Sequence, residues 1–348
     1  YDGSNAAWLE NSDWAVQASG TTNPHFARLQ GADPVMYTGT DLGFRTYQAT
    51  LFTSDSYAEE NPDVVRAFAE ALQEGLEAFL EDPDPVIAHI NDVFPDFEIE
   101  VGEAAVPAMR ELTTSDTTEE LGLGTMDGQV WRDLADRMYS AGVIDNPVDG
   151  DDLWTNEFLI GPDDAGAAAV TGDMTVLDEM TSVSLQTDWF PSTDQAASYA
   201  AEALGFFEKR NLDVEIRPGG PGIRAANDIV TGDVTFGVAL AENVVLASAA
   251  GGEFVTFFTT YQESAIGLMT HAEAGISDVH DLTVVQMFPG QVFWEVLKFE
   301  NDLDVEEISY DGSNAAWLEN SDWAVQASGT TNPHFARLQG ADPVMYTG

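Results

Sequence analysis

The sequence predicts an α/β protein built from mostly parallel sheets flanked by helices. Three observations predict it. Strand-like and helix-like segments alternate from residue 181 onward, an amphipathic helix spans 63–81, and the 44% apolar and 10% aromatic content is that of a folded core. A chain of 348 residues suffices for two domains or one large one.

Element order has to be read around an exact internal repeat. Residues 1–39 recur without a change as residues 310–348. A diverged solenoid would have a short period and scattered substitutions, so this is a 309-residue unit with a 39-residue overlap. A circular permutant, a window on a tandem array and a misjoined sequence all produce that pattern, and the sequence does not choose among them. Segment 160–180, rich in Gly, Ala and Asp-Asp, reads as the linker. The natural order then runs from 181 to 309, through one copy of the repeat, and on from 40 to about 159.

In that order TSVSLQTDWFP (181–191) alternates as a strand, with Val183, Leu185 and Trp189 on one face. Residues 194–208 read as a helix carrying Ala197, Ala200, Leu204 and Phe207 at helical spacing. LDVEI (212–216) is a strand, RAANDIVTGD a short helix ending at Gly232, and VTFGVAL (234–240) a buried strand. A helix through NVVLASAA and a strand FVTFFTTY (254–261) follow. The pattern restarts with a VVQMF strand, a helix around Val292–Glu300 and a VEEIS strand. The clearest helix is 63–81: Asn61 takes the cap and Pro62 the first turn. Its stripe of Val65, Phe68, Leu72, Leu76 and Phe79 needs no function to explain it.

Composition excludes several classes of function. Asp and Glu number 61 against 12 Lys and Arg, a net charge of −49, and Lys209 and Lys298 are the only lysines. The apolar fraction is too high for a disordered acidic tail, so the charge sits on a folded body. An acidic, lysine-poor surface suits multimolar salt, where the Debye length falls to roughly 3 Å and carboxylate repulsion is tolerable. An acidic protein from dilute surroundings is the plainer alternative. Nucleic acid and anionic membranes are poor partners. The absence of cysteine removes disulfides, thiol nucleophiles, cysteine-ligated zinc and iron–sulfur clusters. No apolar run reaches the roughly 18–20 residues of a membrane helix. Tyr1 does not begin a signal peptide, so the N-terminus reads as cut.

The run TDWFPSTDQAASYAAEALGFFEKRNLDVEI (187–216) resembles the opening of the thiamine-pyrimidine and nitrate/sulfonate type of ABC-transporter substrate-binding proteins. That family has a strand, Asp-Trp-x-Pro-Asn-x-Asn-His, a helix closed by a Gly-Tyr/Phe-Phe turn, then Leu-Asp-Val-Glu. TGDVTFGVA (231–239), residues 40–83, MDGQVW (126–131) and WTNEFL (154–159) extend the likeness across the rotated unit. The resemblance implies a circularly shifted type II periplasmic-binding fold, two α/β lobes joined by two crossover strands. Mapped onto this chain, 181–270 and 44–159 form the first lobe and 160–180 the linker. The second lobe takes 271–309, with 1–43 and 310–348 carrying the two copies of its remaining part. Hinges fall near Thr40–Gly43 and His271.

Ligands of open parallel sheets gather at strand C-terminal ends. That rule singles out Asp188, Trp189, Phe190 and Pro191, then Glu242, then Tyr261 and Gln262, then Phe288 and Gln291. Trp189 at a strand end suits stacking on a planar heterocycle, against the plainer role of a core Trp. Glu242 could accept from an exocyclic amine, or simply oppose a helix dipole. Asp188 has the same two readings, and packing accounts equally well for Tyr261, Asp41 and Tyr47. Ser192, Asp194 and Gln195 stand where the family has Asn, Asn and His, so the pocket rim stays polar while the ligand is put in question. GGPGIR (219–224) reads as a strand-to-helix turn, lacking phosphate-loop spacing and lysine. His25, His89, His271, His280 and His334 show no metal-ligand spacing.

The resemblance implies a non-enzymatic solute-binding component of an ABC importer, at the extracellular face of the membrane, with a small-molecule ligand, a permease partner and no cofactor. Riboflavin- or sulfonate/nitrate-binding proteins share the fold; a sulfonate would require Arg45 or Arg224 in the cleft. A related pyrimidine-synthesising enzyme would need a cysteine-rich motif and a Schiff-base lysine. The first is absent, and Lys209 and Lys298 lie away from the strand ends. The duplicated segment adds domain-swapped self-association as a further expectation.

Overall fold

A computed structural model describes residues 15–19, 36–161, 174–220, 222–270, 278–287, 290–309 and 324–325. Its strands form two sheets. The first holds β3 (Gln48–Ser54), β4 (Thr181–Gln186), β5 (Leu212–Arg217), β6 (Phe236–Ala239) and β7 (Phe254–Tyr261), in the order β5-β4-β6-β3-β7. The second holds β1 (Ala15–Ser19), β2 (Met36–Thr38), β8 (Ile266–Thr270), β9 (Val284–Met287) and β10 (Glu306–Ser309), in the order β10-β9-β1-β8-β2.

Pairing senses make each sheet mostly parallel. β4 runs parallel to β5 and β6, while β3 is antiparallel to both β6 and β7, so β3 alone is reversed. In the second sheet β9 runs parallel to β10 and β1, and β8 alone is reversed against β1 and β2. Each reversed strand follows a passage from the other sheet. This is a two-lobed arrangement with two crossovers. The sequence boundary at 270 assigned β8 to the first lobe, but its hydrogen bonds place it in the second sheet. Strand-like alternation carries no information about which sheet a strand joins.

The first lobe's core is organised by α2 (Pro62–Glu81), whose stripe Val65, Phe68, Leu72, Leu76 and Phe79 is buried. Phe68 stacks on Phe236 and Phe207, with ring centroids 4.1 and 5.1 Å away. Against α2 packs α7 (Ala196–Ala203). Their approach is close at Gly75, where a Cβ would lie 2.6 Å from the Ala197 carbonyl oxygen. Asn61 occupies the N-cap position of α2 without a side-chain capping bond, its Nδ2 donating instead to the Tyr57 carbonyl at 3.2 Å. The single helix expected over 194–208 is broken. A 3-10 turn precedes α7, and Gly205, at φ +72°, stops it before a second 3-10 turn at Glu208–Arg210.

Helix α6 (Gly128–Ser140) packs against α10 (Val292–Asn301). A continuous apolar cluster joins Trp131 and Met126 through Phe44 and Tyr47 to Leu268, Val285 and Trp294. Arg137 ties this region together. Its fork reaches both Glu300 oxygens, at 2.7 and 2.5 Å, its Nη1 donates to the Gly43 carbonyl, and it lies 5.1 Å over the Phe44 ring.

The two copies of the repeat meet in the second sheet. Ala15 and Val16 pair with Val285 and Gln286, and Ala324 and Val325 (β11) pair in parallel with the same two residues.

Candidate functional site

Register places the chosen loops at one end of the first sheet. Gln186 lies opposite Gly237, Thr50 opposite Ala239, and Gln48 opposite Tyr261. The C-terminal ends of β4, β6 and β7 therefore share an edge with the start of β3 and with the crossover 44–47. Against this edge lies a cleft of about 290 Å³, whose lining includes Asp188, Phe52, Arg224, Asn227, Ala239 and Asn243.

Asp188 sits where β4 gives way to a turn, and its carboxyl accepts from Gln195 Nε2 at 3.3 Å. Burial pushes this carboxyl above the ordinary carboxylate range, opposed by that bond and by the backbone N–H groups of residues 188 and 189. The turn is held by Thr187, whose Oγ1 accepts from the Gly219 N–H and donates to the Trp189 carbonyl, both at 2.9 Å. Gly219 is required there, since a Cβ would lie 2.2 Å from the Thr187 carbonyl oxygen. Phe190 stacks on Phe94 with centroids 5.8 Å apart and stands edge-on to Trp189. The Trp189 indole N–H is buried without a partner, and Pro191 is buried behind it.

The three positions that depart from the family motif are wired internally. Ser192 caps a 3-10 turn, with its N–H and Oγ donating to Gln195 Oε1 at 3.2 and 3.1 Å. Asp194 accepts from the Tyr261 hydroxyl at 3.1 Å. Tyr261 is fully buried, and desolvation followed by the Asp194 charge pushes its hydroxyl well above its ordinary range.

Glu242 opens α9 (Ala241–Ala249), which starts directly after β6. It is 4% exposed and accepts from Thr46 Oγ1 at 2.9 Å. Burial pushes its carboxyl up to about 7, against its own backbone N–H and the Thr46 bond. Tyr47 sits beside it through the Ala241 N–H to Tyr47 carbonyl bond of 3.1 Å. The Tyr47 hydroxyl accepts from the Asp127 N–H at 2.7 Å and donates to the Asp127 carbonyl at 3.4 Å. Burial pushes that hydroxyl up to about 12.

The structure thus brings together Asp188 with Gln195, and Glu242 with Thr46 and Tyr47. Gln262 is a structural tie, its Oε1 accepting from Ser115 and its Nε2 donating to the Thr125 carbonyl. Asp41 belongs to the crossover turn, accepting from Thr38 Oγ1 at 2.9 Å. Gln291 occupies the N-cap position of α10 without a side-chain capping bond. Phe288 and His271 lie outside the described residues. Sequence reasoning missed Thr46, Asn227 and Asn243. Asn243, one residue after Glu242, could have been found by the strand-end rule that found its neighbour. Asn227 and Asn243 line the cleft and carry no side-chain hydrogen bond among the described residues.

Among the described residues, no group of three or more His, Asp or Glu is placed to hold a metal, and no helix is long and apolar enough to cross a membrane. A family model described as NMT1/THI5 like matches residues 6–86 and 192–286, about half of the chain. The chain is also similar to the riboflavin-binding protein RibY of Chloroflexus aurantiacus, 28% identical over 163 residues. That match spans 45% of this chain and 45% of the relative's length.

Proposed function

The chain belongs to the NMT1/THI5-like family, and from that premise we propose that it is the solute-binding component of an ABC importer. It works outside the cytoplasmic membrane, hands its ligand to a permease, and takes a small planar nitrogen heterocycle in the cleft. The observation that carries this reading is a cleft whose lining brings together a carboxyl (Asp188), the ring of Phe52 and two amides that carry no side-chain hydrogen bond among the described residues (Asn227, Asn243). Flat faces with a hydrogen-bonding edge are what such a site recognises. Closure would pivot on the crossover turn Thr40–Gly43, where Gly43 has φ +80°. Lys209 lies 4.2 Å over the Phe206 ring and Lys298 is paired with Glu295 and Glu307, so neither supports a Schiff-base enzyme.

A thiamine-pyrimidine precursor is the first ligand to test. Riboflavin is the second reading, favoured by the likeness to RibY, and a sulfonate is a third, since Arg224 lines the cleft. The acidic, lysine-poor composition supports work in concentrated salt, and exchange of the duplicated segment with a second copy of the chain remains a proposed partner interaction. The test is a thermal-shift series in molar salt with aminopyrimidines, riboflavin and sulfonates. A ligand at about a hundredfold its Kd adds roughly 2.7 kcal/mol, or about 5 °C at roughly 2 °C per kcal/mol for a chain this long. Stabilisation by sulfonates alone would sink the heterocycle reading.

A further inference from the structure

We propose that Gln195 is a positioning residue that sets the polarity of the cleft, holding Asp188 as an acceptor so that the ligand must bring an N–H or O–H to it. The proposal rests on the cleft reading given above and narrows it from a planar heterocycle to one with a donor edge, such as an amine.

The direction of each bond leading to Asp188 is fixed from its far end. Ser192 Oγ accepts from the Asp194 N–H at 3.3 Å, which leaves its own proton free to donate. That hydroxyl and the Ser192 backbone N–H converge on Gln195 Oε1, at 3.1 and 3.2 Å. A backbone N–H only donates, so the atom facing it is the amide oxygen and the amide cannot be turned over. Ser192 and Gln195 are both buried, and the amide has no solvent to turn towards. Gln195 Nε2 is therefore committed to Asp188 and donates to its Oδ1 at 3.3 Å.

The backbone N–H groups of residues 188 and 189 favour the charged carboxyl in the same way. Every hydrogen bond this carboxyl makes among the described residues is one it accepts. A carboxylate has about four acceptor sites, so three donors leave room for one more from a ligand. A group that only accepts, such as an ether oxygen, meets like polarity there. Asn227 and Asn243 line the same cleft and carry no side-chain hydrogen bond among the described residues, so each can offer its oxygen or its nitrogen. They adapt to a ligand, and Asp188 selects it.

The test is calorimetric titration of the full chain in molar salt with 4-aminopyrimidine and 4-methoxypyrimidine, which share a ring and differ in a donor. The parent should bind the amine about ten- to a hundredfold more tightly, the range of a hydrogen bond to a charged group. In Asp188→Asn, Gln195 Nε2 claims the oxygen of the new amide and turns its nitrogen to the cleft. The preference should then reverse to the methoxy ring by about two- to tenfold. Adding Gln195→Glu replaces the donor with a carboxylate oxygen, which claims that nitrogen and returns an oxygen to the cleft. The double variant should again prefer the amine, by about two- to tenfold. Both substitutions are isosteric, and together they keep the parent's net charge. Preference is a ratio of two affinities within one variant, so a change in stability cancels from it, and a residue that only braced the turn would weaken both probes alike. If the parent binds both probes equally, the inference fails while the heterocycle reading stands. If the parent binds neither, both fall. If Asp188→Asn still prefers the amine, or the double variant keeps the preference of Asp188→Asn, Gln195 does not set the polarity.

Discussion

Glu242 offers the sharpest link between the site and a measurable quantity. The substitution Glu242→Gln keeps the shape and an oxygen that can accept from Thr46, and it removes the titration. In the folded protein burial raises this carboxyl from 4.5 to about 7, so the unfolded chain gives up the proton first. The group's contribution to stability is fully present below about pH 4.5. It is lost across the window from 4.5 to about 7 and is gone above it. At 1.36 kcal/mol per tenfold, that gap is worth about 3 kcal/mol. The glutamine variant should therefore match the parent near pH 4 and exceed it by about 3 kcal/mol at pH 8. Urea unfolding at pH 4.5, 6 and 8 in constant molar salt measures the difference. A difference flat across that range, or a parent that gains on the variant as pH rises, refutes a desolvated acid at this position. Ligand affinity over the same range separates the roles: a purely structural acid moves stability alone, whereas an acid that also faces ligand moves affinity too.

Two further outcomes follow from the charges. Arg210 is fully buried, 3.5 Å from Glu70 and 3.1 Å from Glu74, and Glu70 also accepts from the Thr175 N–H and hydroxyl. Arg210→Met strands the buried Glu70 and should cost about 3–5 kcal/mol, a Tm loss of roughly 6–10 °C. Calorimetry should find a smaller loss in a Glu70→Gln background, and an equal loss would show that the two are uncoupled. With a net charge of −49, the far-ultraviolet circular dichroism of the native state should fade as potassium chloride falls from molar to millimolar. A chain fully native in millimolar buffer contradicts the salt-adapted reading.

How much of this was legible in sequence depends on what each residue pattern can encode. Periodicity encodes burial, so the stripe from Val65 to Phe79 and the run Phe254–Tyr261 appear where the sequence places them. Direction is not encoded, so the reversal of β3 and β8, and with it the lobe to which residues 266–270 belong, emerged only from hydrogen bonding. Helix continuity is also masked. Residues 99–112 form one helix around Pro107, with Ala105, Val106 and Met109 packed in the core. At the site, the strand-end rule names positions and does not say what their side chains face. Tyr261 and Gln262 end a strand buried almost throughout, so their polar groups turn inward to Asp194, Ser115 and Thr125. The same inward wiring absorbs Ser192, Asp194 and Gln195. A change at any one of them leaves its internal partner unsatisfied, so these residues bear on the integrity of the turn before they bear on the ligand. A buried polar group already satisfied by the fold has little left to offer a solute. Specificity is therefore to be sought in the cleft's amides of Asn227 and Asn243, which carry no side-chain hydrogen bond among the described residues, and in the half-buried Asp188 that lines the same cleft.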